Sequence, residues 1–201
     1  MTDSLLYHEG SRALQDAFES RSIADRLEEV TLHTAFTESD RAFVESSIYF
    51  FLATADAQGR PDVSFKGGPA GFVRVTAPGE LAFPDYDGNG MFKSLGNLGA
   101  NANVGLLFIA LHGRPRRLRV SGTARVLRDD PLLGKTVGAQ MIVRVAVRAI
   151  FPNCPRYIPS MQLAAESPFI PKPGENFVEP GWKSAEEFAD AIHPRAPTYR
   201  G

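Results

Sequence analysis

From Tyr49 onward apolar and polar positions alternate with a period of two; before it they do not. Residues 11–48 instead carry helix formers and charges, in runs such as "SRALQDAFESRSIADRLEE" and "TESDRAFVESS", which predict helices. In the second run Thr37 precedes Asp40 by three positions, resembling a capping box with Asp in the place of Glu. After Tyr49 the stretches "YFFLATA", "DVSFK", "FVRV", "LAFPDY", "VGLLFIAL", "RRLRVSGTARVL" and "QMIVRVAVRAIF" read as β segments, punctuated by turn signals such as "DAQGRP", "APGE" and "HGRPR". Segments of this length with short connections predict an antiparallel barrel or sandwich.

Alternation also assigns faces. In "RLRVSGTARV", Arg117, Arg119, Ser121, Thr123 and Arg125 share one side, and Leu118, Val120, Gly122, Ala124 and Val126 the other. In "MIVRVAVRAIF" the same rule puts Met141, Val143, Val145, Val147, Ala149 and Phe151 on the core face, opposite Arg144 and Arg148. The arginine faces are expected to be solvated, although a dimerising barrel could bring Arg117 or Arg119 over a bound anion. "SPFIPKPGENFVEPGW" holds too many prolines for a central strand. The expected organisation is a helical arm over residues 1–47, a barrel over 48–163 and a proline-rich arm over 164–201. That last arm would lie across this subunit or a neighbour, with Phe177 and Trp182 anchoring into a partner surface.

Composition narrows the class. A chain of 201 residues fits one large domain with arms and can bury a core without staples. Its single cysteine, Cys154, excludes an internal disulfide framework. A formal net charge of −1 argues against a general nucleic-acid binder. The start "MTDSLLYHEGSR" lacks the apolar core of a signal peptide, and no stretch is long enough to span a membrane. A cytoplasmic protein without a membrane partner is expected.

Nucleophilic and metal chemistry find little support. Cys154, in "FPNCPRY", has no histidine near it in sequence, and His8, His33, His112 and His193 show no ligand spacing. Two other segments stand out. "DYDGNG" begins like a calcium loop, with Asp85, Asp87 and Asn89 at alternate positions and Gly90 following. Its twelfth position, however, is Gly96, which offers no carboxylate, and the preceding "ELAFPDY" reads as a strand where such a loop needs a helix. What remains is a strand, a tight turn and a short helical stretch around "MFKSLGNL". That arrangement aims backbone N–H groups at one spot, with Lys93 and Ser94 adding a charge and a hydroxyl, and it favours phosphate. The alternative is an ordinary turn whose Asp and Asn satisfy their own backbone. In "SFKGG", Lys66 ends a strand before two glycines that let a backbone approach a flat or anionic ligand. A plain exposed lysine is the alternative there.

The order "LATADAQGRPDVSFKGG", "GFVRV", "LAFPDYDGNGMFKSLGNLGANANVGLLFI" and "RPRRLRVSGTARV" resembles the pyridoxamine 5′-phosphate oxidase-like family, the flavin-binding split barrels. The resemblance covers residues 48–154, and "YHEGSRALQDAF" looks like one bacterial subgroup of that family. It implies a mainly β fold: a six-stranded antiparallel split barrel in Greek-key order with an N-terminal helical segment. It also implies a homodimer with FMN at the interface. Lys66 would lie beside the flavin ring and ribityl chain, with Ser64 and Phe65 giving backbone contacts. Lys93 and Ser94 fall at the positions of the pair that holds the 5′-phosphate, with Asn89, Gly90 and Met91 at the same end. Asn97, and Arg119 or Asn153 reaching over from the partner, are further candidates. The implied function is oxidoreduction of a small molecule through flavin N5, the cofactor supplying the reactivity. Related split barrels that use a deazaflavin, and non-catalytic flavin- or haem-binding proteins, are the alternatives. The chain departs from the oxidase proper in three ways: Pro61 stands near an expected arginine, the phosphate pair is Lys-Ser, and the Arg-Leu-x-Pro substrate signature is missing from a tail that ends "HPRAPTYRG". A vitamin B6 substrate is therefore not expected.

Overall fold

The computed structural model describes residues 4–110, 113–188 and 190–192. Its N-terminal part is helical, with α1 (Glu9–Ala17), α2 (Arg21–Thr31) and α3 (Glu38–Ser46). α3 starts on a complete capping box: the Thr37 side chain accepts from the Asp40 N–H while the Asp40 carboxylate accepts from the Thr37 N–H. Buried Asp40 also meets His33 Nε2 at 2.8 Å and the Arg116 guanidinium at 2.9 Å, which ties the helix to the barrel. Burial alone would raise the Asp40 pKa, but hydrogen bonds from Thr37 and His33 outweigh it and hold the carboxyl below its ordinary value.

The strands follow. β1 (Tyr49–Ala55) and β2 (Pro61–Gly67) form a hairpin whose turn is held by Asp56, which accepts from the N–H groups of Gln58 and Arg60. Then come β3 (Arg74–Ala77), β4 (Glu80–Tyr86), α4 (Lys93–Ala100), β5 (Asn103–Ala110), β6 (Arg116–Leu127) and β7 (Ala139–Pro152). All pair antiparallel in one sheet of order β2-β1-β5-β6-β7-β4-β3. The sheet has seven strands, not the expected six, because the short β3 adds itself to β4 at one edge. It curls: Phe50 of β1 and Phe83 of β4 bring their rings within 4.9 Å although three strands separate β1 from β4 in the sheet order. One cluster joins Phe50, Leu106, Val120, Val143 and Leu81 with Val44 of α3 and Leu98 of α4. The class is mainly β, a split barrel flanked by helices.

One face assignment fails, and the cause is local. The β6–β7 register runs Gly122↔Val147 and then Ser121↔Ala149, so Arg148 is an extra residue in a bulge. Past it the phase of β7 flips. Ile150 enters the core, and Phe151, expected inside, lies opposite Arg119 and half-exposed. Gly122 faces the bulge, where an added Cβ would stand 2.1 Å from the Ala146 carbonyl oxygen. Arg144, expected to be solvated, is instead drawn into ion pairs with Asp130 and Glu80. Pro84 sits inside β4 beyond the last β3 pair, so its missing N–H breaks no ladder bond on that side.

After β7 the chain runs irregularly, with a 3₁₀ turn at Gly181–Ser184, and folds back on its own barrel. Lys183 Nζ lies 2.6 Å from Asp87 Oδ2, and Phe177 and Trp182 line a small cavity with Tyr86 and Asp87. These two aromatics thus face the end of β4 on their own barrel. The tail "HPRAPTYRG", His112 and His193 lie outside the described residues. Among the described residues no helix is long and apolar enough to cross a membrane.

Candidate functional site

β2 is an edge strand with β1 as its partner in the sheet. Its alternation puts Asp62, Ser64 and Lys66 on one half-buried face and leaves Val63 and Phe65 exposed on the other. The N-terminus of α4 packs over the polar face. Ser94 Oγ donates to Asp62 Oδ2 at 3.1 Å and lies 3.0 Å from Ser64 Oγ, while Lys93 Nζ stands 3.2 Å from Asp62 Oδ1. The loop that delivers α4 turns sharply. Asn89 Oδ1 accepts from the Met91 N–H at 3.1 Å, Gly90 has φ +77°, and Phe92, the N-cap, has φ +47°. Strand and loop enclose a groove of about 400 Å³, completed by Asp85, Tyr86 and Gln140. Gln140 Nε2 donates to Asp85 Oδ2 at 2.8 Å and to the Tyr86 carbonyl at 3.0 Å. Burial pushes the Tyr86 phenol up to about 12, against a weaker opposing pull from Arg74, so it stays protonated and able to donate.

The groove collects Ser64, Lys66, Asn89, Gly90, Met91, Lys93 and Ser94 from the sequence-based set. Four others lie elsewhere. Phe65 points outward and stacks on Tyr49 at 5.5 Å. Asn97 Nδ2 donates to Thr54 Oγ1 at 3.0 Å, a contact that docks α4 on β1. Arg119 is exposed on β6, opposite Leu107 and Phe151. Asn153 follows β7, its Oδ1 buried and without a hydrogen-bond partner among the described residues.

Sequence reasoning missed Asp62, Tyr86 and Gln140. The first was within reach, because a period of two from Ser64 and Lys66 places Asp62 on the same face; Gln140 carries no such signal. Asp62 changes the electrostatics of the groove by setting a carboxylate beside the expected phosphate ligand. The Lys93 side chain is 57% exposed, so water and salt screen that pair and leave the ammonium exchangeable. In the loop that begins like a calcium site, Asp85 turns to Gln140 and Asp87 to Lys183. Among the described residues no group of three or more His, Cys, Asp or Glu side chains is placed to hold a metal ion.

Two further features adjoin the groove. Tyr86 also lines a second cavity, of about 510 Å³, between Tyr49, Phe65, Gly67 and Gly68 on the barrel and residues 161–171 of the arm. The outer face of β2, β1 and β5 carries an aromatic cluster: Phe51 meets Phe65 edge-on at 5.9 Å and pairs in register with Leu107.

Residues 36–163 match the family model described as pyridoxamine 5′-phosphate oxidase. The fold is similar to solved structures of low identity. An FMN-binding protein from Syntrophomonas wolfei is 12% identical, with 70% of this chain and 97% of that one covered and a TM-score of 0.47. HutZ, the haem storage protein from Vibrio cholerae, is 20% identical, covering 55% of this chain and 89% of its own, at a TM-score of 0.42. An F420 reductase is 19% identical over 57% of this chain and 98% of that one, also at 0.42. Among curated proteins no sequence match is found.

Proposed function

The chain belongs to the pyridoxamine 5′-phosphate oxidase family, and on that premise we propose that it is an FMN-dependent oxidoreductase acting on a small molecule as a homodimer. One observation carries the reading: a single groove unites Lys66 and Ser64 at the end of an edge strand with Lys93 and Ser94 at a helix N-terminus. The residues fit an elongated ligand with a flat ring at one end and a phosphate at the other. At the phosphate end, Lys93 supplies a mobile cation, Ser94 a hydroxyl, and the turn through Gly90 and Phe92 presents backbone N–H groups. At the ring end, Lys66 brings a positive charge and the edge of β2 leaves backbone groups unpaired. Bound there, FMN would supply the hydride chemistry at N5. Tyr86 and Gln140 shape the remaining wall.

Dimerisation rests on the outer sheet face. Val63 is 66% exposed and Phe65 63% exposed, beside Phe51 and Leu107, with Arg119 adjoining. An apolar face of this kind favours an interface, and a second copy seated on it would account for Arg119 and Asn153 as residues shared across the dimer. The absence of the Arg-Leu-x-Pro signature speaks against vitamin B6 phosphates as substrate.

The test is the absorption spectrum of the purified protein, followed by the mass of what heat releases. Yellow protein releasing FMN is the expected result. Protein that is colourless and takes up no added FMN overturns the proposal, and a deazaflavin or haem spectrum replaces it. Oxidation of pyridoxine or pyridoxamine 5′-phosphate above about 1 per second, an ordinary enzyme rate, would show that the substrate inference is wrong.

A further inference from the structure

We propose that the cavity between the barrel and the arm binds an uncharged, flat aromatic molecule carrying a hydrogen-bond acceptor. Its role as the site of the organic substrate rests on the flavin reading above; its ligand chemistry does not. The volume, about 510 Å³, is that of a small-molecule site. The walls are flat and apolar. Tyr49 and Phe65 stack nearly parallel, with 11° between their planes, and from the arm Leu163 and Phe169 face the cavity while remaining 57% and 47% exposed. The floor is glycine for a steric reason. A Cβ on Gly68 would stand 2.5 Å from the root of the buried Phe72 ring, which keeps the backbone bare there, and one on Gly67 would stand 2.9 Å from the outer edge of the Phe65 ring, which would have to shift.

Charge then selects the ligand. Among the described residues no Arg, Lys or His lines this cavity, whereas Asp87 and Glu166 do. An anion brought here would lose water without gaining a cation, a heavy cost in an apolar site. Asp87 is already paired with Lys183 in a largely buried contact, and Glu166, 56% exposed, keeps its water, so an arriving cation has little to gain. Uncharged ligands remain. Tyr86, shared with the groove, is a wall group whose hydroxyl burial keeps protonated, so it can donate to a carbonyl. Lys66 and Gly67 are consecutive on β2, so a molecule lying here is adjacent to the proposed ring end of the groove.

The experiment titrates 2-acetylnaphthalene and 2-naphthoate, which share a shape and differ in charge, into the full chain by calorimetry with and without FMN. The ketone is expected to bind about tenfold or more tighter than the carboxylate, that is, by at least about 1.4 kcal/mol. Ala165→Trp, which fills an exposed part of the wall, should weaken the ketone by about tenfold, the same step in affinity. Leu163→Arg should narrow or invert the preference, which a merely misfolded variant would not do. Equal or tighter binding of the carboxylate, or Ala165→Trp with unchanged affinity, overturns the proposal. Ketone binding by protein that takes up no FMN keeps the cavity and removes the flavin reading. FMN uptake without ketone binding does the reverse.

Discussion

Lys66 and Gly67 are neighbours on β2, yet one borders a cleft with Asp62, Lys93 and Gln140 and the other a cleft with Tyr49, Phe65 and Phe169. The two spaces share Tyr86 and little else. The polar one is made from β2, the end of β4, Gln140 of β7 and the loop that enters α4, and it selects by a few directional, charge-assisted contacts. The apolar one is assembled from the start of one strand, the ends of two others and an irregular arm, and it selects by shape and by the absence of cations. The contrast teaches that a single edge strand can serve two ligands of opposite character, because alternation and a Gly-Gly terminus switch its chemistry within one step. It also predicts different sensitivities, since salt should weaken the first site and scarcely touch the second.

The largest expected effect lies in the groove. A charge-assisted hydrogen bond contributes about 1.5–3 kcal/mol, so Lys93→Ala should weaken FMN by roughly 10- to 150-fold. Riboflavin, which has no phosphate, should bind as before, whereas Lys66→Ala should weaken both flavins alike and lower the reduction potential of bound FMN. Equal losses of FMN and riboflavin in Lys93→Ala would break the assignment of the phosphate end.

Next comes the arm. Lys183 and Asp87 form an ion pair with side chains 17% and 7% exposed, and Asp87→Asn leaves Glu179 as the carboxylate paired with Lys183 among the described residues. Residues 161–188 should then be cleaved by protease about tenfold faster, the effect of roughly 1.4 kcal/mol of lost docking, with weaker ketone binding and little change for FMN. An unchanged cleavage pattern would show that the arm is held by its aromatic contacts instead. The smallest effect belongs to Asp62. A carboxylate beside a phosphate is a like charge in a partly screened place, so Asp62→Asn should strengthen FMN by a few-fold, on the order of 1 kcal/mol or less, and leave riboflavin alone. Weaker FMN binding would mean that Asp62 orients Lys93 and Ser94 more than it repels the ligand.

Much of this was legible in the sequence where the signal was local. The Thr37–Asp40 cap, the strand segments after Tyr49 and the loop from Asn89 to Ser94 are contiguous, and period and turn chemistry decide them. The flip of β7 after Arg148 was not legible, because a bulge is fixed by pairing with β6 and not by the composition of β7 itself. Gln140 and the arm cavity escaped for the same reason: they join the groove and barrel through contacts across 54 or more positions, and no spacing rule reaches that far. Phe177 and Trp182 stood out in the sequence as aromatics in a proline-rich segment, but their place beside Tyr86 and Asp87 depends on where Lys183 finds Asp87.

Phe92 enters α4 in the left-handed region, at φ +47° and ψ 28°. A side chain held there costs of order 1–3 kcal/mol and persists only while the surroundings impose it. The free energy needed to open this loop is therefore lower than that of the strands beside it, and opening should begin at the entry to α4 without unfolding the barrel. Amide hydrogen exchange across residues 88–94 should accordingly run ahead of β2 and β4 in the ligand-free protein. A ligand that takes up those amides would slow exchange more here than anywhere else in the chain, which makes the turn a built-in reporter of occupancy.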